Sequence, residues 1–227
     1  MVQITRERAQ IEIPKLSRKV KVFALGWGDS RWLDEDFEDV KTADEAELII
    51  LPGGADINPK LYGEKPGFRT SFYQLVDDRQ VSVYETYKDK VKFFGICRGL
   101  QLLAALAGQK LVQHISHPSS HVIQTHDGLT LYTNSLHHQQ VYLCNGKEGE
   151  DYKLLAWAPR LSRTHLNGED VDYKFPSDYK EPEVVVFPKI NSMGIQGHPE
   201  FGGMEETTSN WLIKEIKLNL FNDLIIK

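Results

Sequence analysis

Short apolar runs bounded by turn residues recur along the chain and predict the strands of a sheet. They lie at residues 20–25, 48–51, 91–94, 154–158 and 183–187. Runs of this length that are rich in Val, Ile, Leu and Phe are typical of buried strands. Helical spacing of apolar side chains appears instead at residues 73–87, 100–107 and 205–221. This alternation predicts an α/β fold with a mostly parallel central sheet flanked by helices.

The remaining segments complete the predicted organisation. Further short strands are expected at residues 110–113, 122–123, 129–132 and 141–143, as a small antiparallel excursion. A loop with a short helix is expected at residues 34–47 and a polar surface excursion at 159–182, while residues 1–19 form an edge strand or a loose arm. Helix 73–87 is expected to pack on the sheet through Leu75, Val76, Val83 and Tyr84. Because the apolar pattern resumes after each polar segment, we expect a single domain over residues 1–227.

Composition excludes several classes of protein. The chain has 227 residues, of which 41% are hydrophobic, and a formal net charge of −5, so no basic excess points to nucleic acid. The two cysteines, Cys97 and Cys144, make no disulfide framework. No apolar run approaches a membrane span, and the N-terminal residues lack the apolar core of a signal peptide. We therefore expect a cytoplasmic protein that binds no membrane.

The strongest chemical signal is a cysteine placed between a predicted strand and a predicted helix. Gly95-Ile96-Cys97-Arg98-Gly99 follows the apolar run 91–94 and precedes the helix that ends at Gly108. A thiol at a helix N-terminus is expected to have a lowered pKa, because unpaired N–H groups and the helix dipole stabilise the thiolate. A buried cysteine in a glycine-rich turn is the alternative interpretation of the same residues.

Two other segments could complete a nucleophilic site. Pro52-Gly53-Gly54 follows the run 48–51, and glycines after a buried parallel strand let backbone N–H groups approach a ligand, as an oxyanion hole requires. In His198-Pro199-Glu200, residues two apart in an extended segment project to the same side. A histidine and a carboxylate placed in this way can act as a base and its orienting partner. Taken alone, a turn with no chemical role would explain either segment.

A metal site is the other chemistry to weigh, because residues 114–138 hold six of the eight histidines. His114, His117 and His121 would share a face only on a helix, which Pro118 interrupts. The chain has no H-E-x-x-H motif and no paired cysteine ligands. We therefore predict no metal, and expect most of these histidines to line a polar loop.

These three motifs together resemble those of the class I glutamine amidotransferases, and they occur in that family's order over nearly the whole chain. The motifs are Leu51-Pro52-Gly53-Gly54, Gly95-Ile96-Cys97-Arg98-Gly99-Leu100-Gln101 and Gln196-Gly197-His198-Pro199-Glu200. Residues 52–59, 61–64, 111–113 and 134–139 are similar to a narrower branch, the γ-glutamyl-γ-aminobutyrate hydrolases of the peptidase C26 group. The resemblance implies a flavodoxin-like three-layer sandwich.

The resemblance also implies roles for residues. Cys97 would be the nucleophile, His198 the base and then the acid, and Glu200 the residue that orients His198. The backbone N–H groups of Gly54 and Arg98 would form the oxyanion hole. The glutamyl group of the substrate would be held by Gly53, Gln101, Ser135, His137, His138 and Gln139. No cofactor is implied. Glutamine or a γ-glutamyl amine is the implied substrate, and an ammonia-accepting synthetase chain and a homodimer are left open as partners.

The chain departs from the family pattern at three points that flank the site. The segment 26–47 is short, Asp77-Asp78-Arg79 replaces an Arg-Asp pair that commonly opens the helix before the cysteine strand, and Gly197 stands where a bulky residue is common. These departures bear on the leaving group. Four hypotheses follow: a stand-alone γ-glutamyl hydrolase, a glutaminase subunit that delivers ammonia to a synthetase, a catalytically silent binding protein on the same fold, and a metal-binding histidine-cluster protein.

Overall fold

The computed structural model of the chain describes residues 10–116 and 118–227. The first nine residues of the predicted N-terminal arm, and His117, lie outside the described residues. From residue 10 to 19 the chain is mostly irregular, and its one sheet-like contact is an isolated bridge between Leu16 and Ile225.

The described residues contain thirteen strands and three α-helices. The strands are β1 (Val20–Ala24), β2 (Phe37–Asp39), β3 (Leu48–Leu51), β4 (Lys92–Ile96), β5 (Lys110–Val112), β6 (His114–Ile115), β7 (Ser120–Thr125), β8 (Thr130–Asn134), β9 (Gln140–Tyr142), β10 (Lys153–Pro159), β11 (His165–Leu166), β12 (Lys180–Phe187) and β13 (Ser192–Ile195). The helices are α1 (Gln74–Tyr87), α2 (Arg98–Leu106) and α3 (Glu206–Leu220). Every main strand and helix predicted from the apolar pattern is present.

Nine strands form one sheet, in the order β2-β1-β3-β4-β13-β12-β10-β7-β8. The first five run parallel to one another, and the last four join by antiparallel pairing. Strands β5 and β9 form a separate antiparallel pair, as do β6 and β11. The α/β prediction is confirmed, but the antiparallel part is larger than the small excursion that was expected.

Helices cover both faces of the sheet, because neighbouring residues of the buried strands point to opposite sides. Leu48 and Ile50 of β3 pack in one core cluster with Trp211 and Ile216 of α3. Ile49 and Leu51 pack in the other cluster, together with residues of α1 and α2. These two apolar layers give the three-layer sandwich expected from the family resemblance.

Two details of the prediction are wrong. Residues 34–47 contain an edge strand, β2, which pairs with β1, as well as the short helix that was expected. The apolar face assigned to α1 is only in part the face that the helix buries: Tyr84 is buried and Val83 packs against the core, but Leu75 is 84% exposed, and the polar Asp77 and Gln80 are buried instead. Those two polar side chains face inward because each binds Arg98, a residue far away in sequence.

Candidate active site

The three sequence motifs meet at one edge of the sheet. Strands β3, β4 and β13 are neighbours and run parallel, with Leu51 paired to Gly95 and Gly194 paired to the same residue from the other side. Parallel strands present their carboxyl ends at a common edge, where ligands bind in open α/β sheets. The segments that follow these strands therefore lie side by side.

Cys97 stands on a sharp turn between β4 and α2. Its backbone has φ 50° and ψ −105°, a conformation that residues with a side chain rarely adopt. A Cβ atom on Gly95 would overlap the backbone of Gly99, and one on Gly99 would overlap the carbonyl of Leu51. The two glycines are therefore required for the strand and helix to approach this closely. The Cys97 N–H donates to the carbonyl of Ile195 at 2.7 Å, which ties the turn to β13.

The Cys97 thiol is held in its neutral form. Burial raises the pKa of the thiol to about 12, and the negative charges of Glu200 and Asp56 act in the same direction. The Arg98 N–H opposes this effect without outweighing it. The expectation that the helix N-terminus lowers the thiol pKa is therefore wrong here, because desolvation is the larger effect. A thiol of this kind needs a base before it can act as a nucleophile.

His198 and Glu200 form a hydrogen-bonded pair beside the cysteine. Nδ1 of His198 lies 2.8 Å from Oε1 of Glu200, and both side chains are nearly buried. A Cβ atom placed on Gly53 would lie 2.6 Å from Cε1 of His198 and 3.6 Å from Cβ of Cys97. The imidazole and the cysteine thus flank the same glycine, and the Nδ1 contact to Glu200 leaves Nε2 available for another group.

Two residues that the sequence did not single out hold His198 in place. The Asn134 side chain accepts the His198 N–H at 2.7 Å and donates to the His198 carbonyl at 2.9 Å. The Phe201 ring stacks on the imidazole with the ring centroids 4.9 Å apart. Asn134 belongs to a stretch that carried the family resemblance, so it could have been suspected, but its partner is 64 residues away.

Close packing explains why position 197 is occupied by glycine. A Cβ atom at this position would overlap the Thr133 hydroxyl and approach the carbonyl of Asn134 at 3.0 Å. The strand that carries Asn134 therefore leaves no room for the bulky residue that is common in the family at this point. This departure follows from the close packing of β8 against the histidine segment.

Backbone N–H donors lie beside Cys97 on two sides. Arg98 is the first residue of α2, so its N–H is one of the unpaired donors of that helix. Gly54 has φ 153°, and an added Cβ atom would lie 3.3 Å from Cδ of Arg98. The carbonyl of the preceding Gly53 accepts a hydrogen bond from the indole N–H of Trp27 at 3.2 Å. Loops from β1 and β3 thus converge on the start of α2.

The Arg98 side chain takes part in a buried ion pair. Its guanidinium binds the carboxylate of Asp77 and the amide oxygen of Gln80, both on α1. Burial raises the pKa of the Asp77 carboxyl and lowers the pKa of the guanidinium, and the opposite charge of each partner counteracts the shift. In the sequence, Asp77 stood out only because Asp77-Asp78-Arg79 replaces the Arg-Asp pair that is common in the family. The structure makes it the partner that fixes the residue after the cysteine.

The residues predicted to hold a substrate form two groups. The Gln101 amide donates to the carbonyl of Gln139 at 3.1 Å, and Nδ1 of His137 lies 2.9 Å from the same oxygen. Gln101 is one turn after the nucleophile, since its N–H donates to the Cys97 carbonyl at 3.1 Å. Ser135 lies in the same loop and donates its N–H to the carbonyl of Ser119 at 2.7 Å. Hydrogen bonds thus tie the start of α2 to the loop between β8 and β9.

His138 belongs to a second, more exposed group. Its Nε2 lies 2.9 Å from Oδ1 of Asp56, which follows the Gly-Gly loop. His114 lies next to it, with the two Nδ1 atoms 3.4 Å apart, and Arg69 lies 2.9 Å from Nε2 of His114. Burial, with the nearby Arg69 charge, lowers the pKa of His114. The Asp56 charge influences the thiol, so this group borders the site.

The other histidines pair with acids at separate places. His121 contacts Glu183, His165 contacts Glu181, and His126 contacts Glu215. In the described part of the chain, one group could hold a metal ion by distance: His126, Asp127 and Glu215, with ligand atoms within 4.8 Å of one another. The Lys214 ammonium lies 2.8 Å from Asp127, so a cation of the protein itself already neutralises this carboxylate. Asp127 accordingly has a pKa lowered to about 2 despite partial burial.

Among residues 10–116 and 118–227, the helices are too short or too polar to cross a bilayer.

The profile of the peptidase C26 family matches residues 31–148 of the chain. This segment contains the Gly-Gly loop, Cys97 and the Ser135 loop, and it ends before His198 and Glu200. The match therefore covers the nucleophile half of the site.

Individual proteins also resemble the chain. The protein NtpR of Enterococcus hirae is 28% identical over 185 residues, which cover 74% of this chain and 73% of NtpR. YvdE of Lactococcus lactis subsp. lactis, proposed to be glutamine amidotransferase-like, is 37% identical over 78 residues, or 34% of this chain and 33% of YvdE.

Two solved structures share the fold. A protein from Thermoplasma acidophilum, proposed to be one of the subunits of a GMP synthase, superposes with a TM-score of 0.51 at 15% identity, over 86% of this chain and 92% of that one. A glutamine amidotransferase from Thermotoga maritima superposes with a TM-score of 0.50 at 17% identity, over 91% and 86% of the two chains. At such identities the similarity concerns the fold.

Proposed function

This chain belongs to the peptidase C26 family, and from that premise we propose that it hydrolyses the γ-amide bond of glutamine or of a γ-glutamyl amine. The family and the glutamine amidotransferase-like relative support the broader statement that it is an amide hydrolase or amidotransferase. The γ-glutamyl substrate and the cysteine mechanism are the finer parts of the proposal. The site geometry supports them as follows.

The first stage forms a thioester. Nε2 of His198 takes the proton of the Cys97 thiol, and the sulfur attacks the carbonyl carbon of the γ-amide. The carbonyl oxygen becomes an oxyanion and accepts hydrogen bonds from the N–H groups of Gly54 and Arg98. His198 then gives its proton to the departing nitrogen, so the C–N bond breaks and ammonia or an amine leaves. A γ-glutamyl thioester on Cys97 remains.

The second stage releases glutamate. A water molecule loses its proton to Nε2 of His198 and attacks the thioester carbonyl. The tetrahedral adduct is bound by the same two N–H groups, and its collapse breaks the C–S bond. The proton on His198 returns to the sulfur, which restores the neutral thiol. Throughout, Glu200 accepts the Nδ1–H of His198, which fixes the tautomer and stabilises the imidazolium.

One observation carries the proposal: a buried cysteine with φ 50° at the start of a helix lies beside a histidine whose other ring nitrogen is bound to a carboxylate. A structural cysteine has no need of a strained turn, since burial alone is its common role. The high thiol pKa also fits, because a neutral thiol requires the base that His198 supplies.

The test is glutamate release by the purified chain from glutamine and from a panel of γ-glutamyl amines. Cys97→Ala is expected to abolish release while the fold persists, because the substitution removes the nucleophile and little volume. Cys144→Ala is the matched control, since this second cysteine is exposed and follows β9. Full turnover in Cys97→Ala would refute the mechanism.

A second candidate, a glutaminase subunit that supplies a separate synthetase, is favoured by a specific surface feature. Large apolar side chains near the site are exposed: Trp27 at 69%, Leu136 at 67% and Phe201 at 53%. Trp27 donates a hydrogen bond to Gly53, and Leu136 follows Ser135 in the chain. The Phe201 ring stacks on His198. Clustered apolar exposure around a site is typical of an interaction surface.

The same assay separates the candidates. Fast release from one γ-glutamyl amine, dependent on Cys97, indicates a stand-alone hydrolase and names its leaving group. Slow release from every substrate, together with slow labelling of Cys97 by a glutamine-like chloroketone, favours a subunit completed by its synthetase. Tight glutamine binding without any turnover or labelling would favour a catalytically silent binding protein.

A further inference from the structure

A small cavity lies between the loops that follow β1 and β3 and one face of α1. Its volume is about 260 Å³, and it is lined by Leu25, Gly26, Trp27, Pro52, Leu75, Val76, Arg79 and Gln80. Cys97 and His198 are not among these residues. The cavity is therefore separate from the substrate site, although Trp27 and Pro52 belong to the loops that build the oxyanion hole.

The walls combine apolar surface with two uncommitted donors. Leu25, Trp27, Pro52, Leu75 and Val76 supply the apolar part. Within the described residues, the Arg79 guanidinium forms no ion pair or hydrogen bond. The Gln80 amide uses its oxygen on Arg98, which leaves its NH2 group without a partner in the same part of the chain.

The charged side chain of the cavity lining is a cation, Arg79. The nearest acids on α1 are Asp77, which is neutralised by Arg98, and Asp78, which accepts a hydrogen bond from Gln74 at 2.6 Å. Arg79 is therefore the charged group of the lining that lacks a counterion. A guanidinium and an amide NH2 suit a carboxylate, and the apolar wall suits a hydrocarbon or aromatic body.

Trp27 connects this cavity to the catalytic machinery. Its indole N–H holds the Gly53 carbonyl at 3.2 Å, and its ring lies 3.7 Å from the position of a Cβ on Gly54. In a trans peptide the carbonyl and the following N–H point in opposite directions, so anchoring the Gly53 oxygen fixes where the Gly54 N–H points. Trp27 is 69% exposed, so little besides this bond restrains its ring.

We infer that the cavity is a second binding site for a small organic carboxylate with an apolar body, and that its occupant raises turnover by packing against Trp27. The binding site is independent of the proposed hydrolase function, whereas the effect on turnover rests on it. In this arrangement Arg79 binds the carboxylate and Trp27 is a positioning residue for the Gly54 N–H.

Binding is measured first, by ligand-observed NMR titration of the full chain with phenylacetate, phenylacetamide and phenethylamine. We expect phenylacetate to bind with a Kd on the order of 1 mM, as suits a ligand of this size, and the neutral and cationic analogues to bind at least tenfold more weakly. Arg79→Gln should weaken phenylacetate binding about tenfold, whereas Lys19→Gln, which removes an exposed charge before β1, should not. Equal binding of the three compounds, or unchanged binding to Arg79→Gln, would overturn the site.

Turnover is measured second, with and without saturating phenylacetate. Phenylacetate should raise kcat a few-fold in the wild type, and Arg79→Gln should keep the basal kcat but lose the increase. Trp27→Phe keeps the ring and removes the N–H, so it should still bind phenylacetate, lower kcat roughly fivefold with KM unchanged, and show no increase. An equal increase in Trp27→Phe, or none in the wild type, overturns the link. If the wild type releases no glutamate, the proposed hydrolase function and the link fail together, and the binding titration still decides the site.

Discussion

Two of the buried histidine–glutamate pairs, His165–Glu181 and His198–Glu200, belong to different halves of the sheet, and their carboxylates accept different numbers of hydrogen bonds. In the antiparallel half, Glu181 accepts from Nε2 of His165 at 3.0 Å, from two backbone N–H groups at Leu161 and Ser162, and from the Ser162 hydroxyl. At the parallel edge, Glu200 accepts from Nδ1 of His198, and its Oε2 has no hydrogen-bond partner among the described residues.

This difference distinguishes a histidine–glutamate pair with a structural role from one that could take part in a reaction. Glu181 is saturated with donors, and the ring of His165 is enclosed by Phe175 and Tyr179. Such a pair stabilises one conformation of a loop. His198 instead has a second ring nitrogen that Glu200 does not use, its ring and Cys97 flank the same glycine, Gly53, and Glu200 keeps spare acceptor capacity. A histidine bound to a carboxylate is therefore a poor sign of a site unless its free nitrogen faces a reacting group.

Replacing the two histidines should give the largest contrast. His198→Asn removes the base and is expected to lower kcat/KM about 10⁴-fold while changing the melting temperature little. His165→Asn should retain kcat and lower the free energy of unfolding by about 1–3 kcal/mol, because it leaves Glu181 without one donor. Glutamate release and thermal melts of both variants check this. Equal loss of activity in the two would contradict the distinction.

Replacing the carboxylates should give a smaller contrast. Glu200→Gln keeps the shape but weakens the orientation and charge stabilisation of His198, so kcat should fall about 10²-fold. Glu181→Gln should affect stability and leave kcat of the folded protein near the wild-type value. The measurement is kcat against melting temperature for each variant. A stability loss without a kcat loss in Glu200→Gln would assign Glu200 a structural role.

Removing the two hydrogen bonds that hold the His198 backbone should have a smaller effect still. Asn134→Ala deletes two hydrogen bonds to the backbone of His198 and should lower kcat about tenfold through misplacement of the imidazole. Asn219→Ala, which loses contacts only within α3, is the control for deleting an asparagine amide. Unchanged kcat in Asn134→Ala would show that β8 does not position the histidine.

The thiolate fraction of Cys97 can be followed by alkylation, and the labelling rate is expected to rise about tenfold per pH unit. Since burial raises the pKa of Cys97 to about 12, the thiolate fraction is small at pH 7 and grows tenfold for each unit up to that pKa. Iodoacetamide labelling of Cys97, followed by peptide mass spectrometry, should accelerate accordingly from pH 7 to 9, with exposed Cys144 as the internal reference. Rapid, pH-independent labelling would indicate a preformed thiolate and would contradict the need for His198.

The same pKa predicts a sign for stability at high pH. The folded-state pKa of Cys97 lies above its ordinary value of 9.0, so the contribution of this group is constant below pH 9 and is lost as the pH rises toward 12. Cys97→Ala should therefore lose less stability than the wild type over that range.

Much of the site could be predicted from local sequence. Gly95-Ile96-Cys97-Arg98-Gly99 encodes its own turn, because the two glycines permit a contact that any side chain would block. His198 and Glu200 are two residues apart, so their pairing follows from the extended backbone that Pro199 favours. The order of apolar runs indicated which loops follow parallel strands, and hence that they share an edge.

The remaining features depend on contacts between distant segments. Asp77 and Gln80 are buried because Arg98 is, and no periodicity along α1 reveals this; the helix even exposes Leu75, which its pattern placed inward. Asn134, the last residue of β8, meets His198 only through the tertiary fold, since 64 residues of chain separate the two. The raised thiol pKa likewise reflects burial by the whole fold, which outweighs the local helix terminus.

The sequence by itself therefore determined the fold class, the strained cysteine turn and the pairing of His198 with Glu200, since each depends on residues close together in the chain. Tertiary structure alone decided the protonation of the thiol, the anchoring of Gly53 by Trp27 and the use of Asp77 and Asn134 as supports. Those properties arise from desolvation and from hydrogen bonds between segments that only the packed sheet brings into contact.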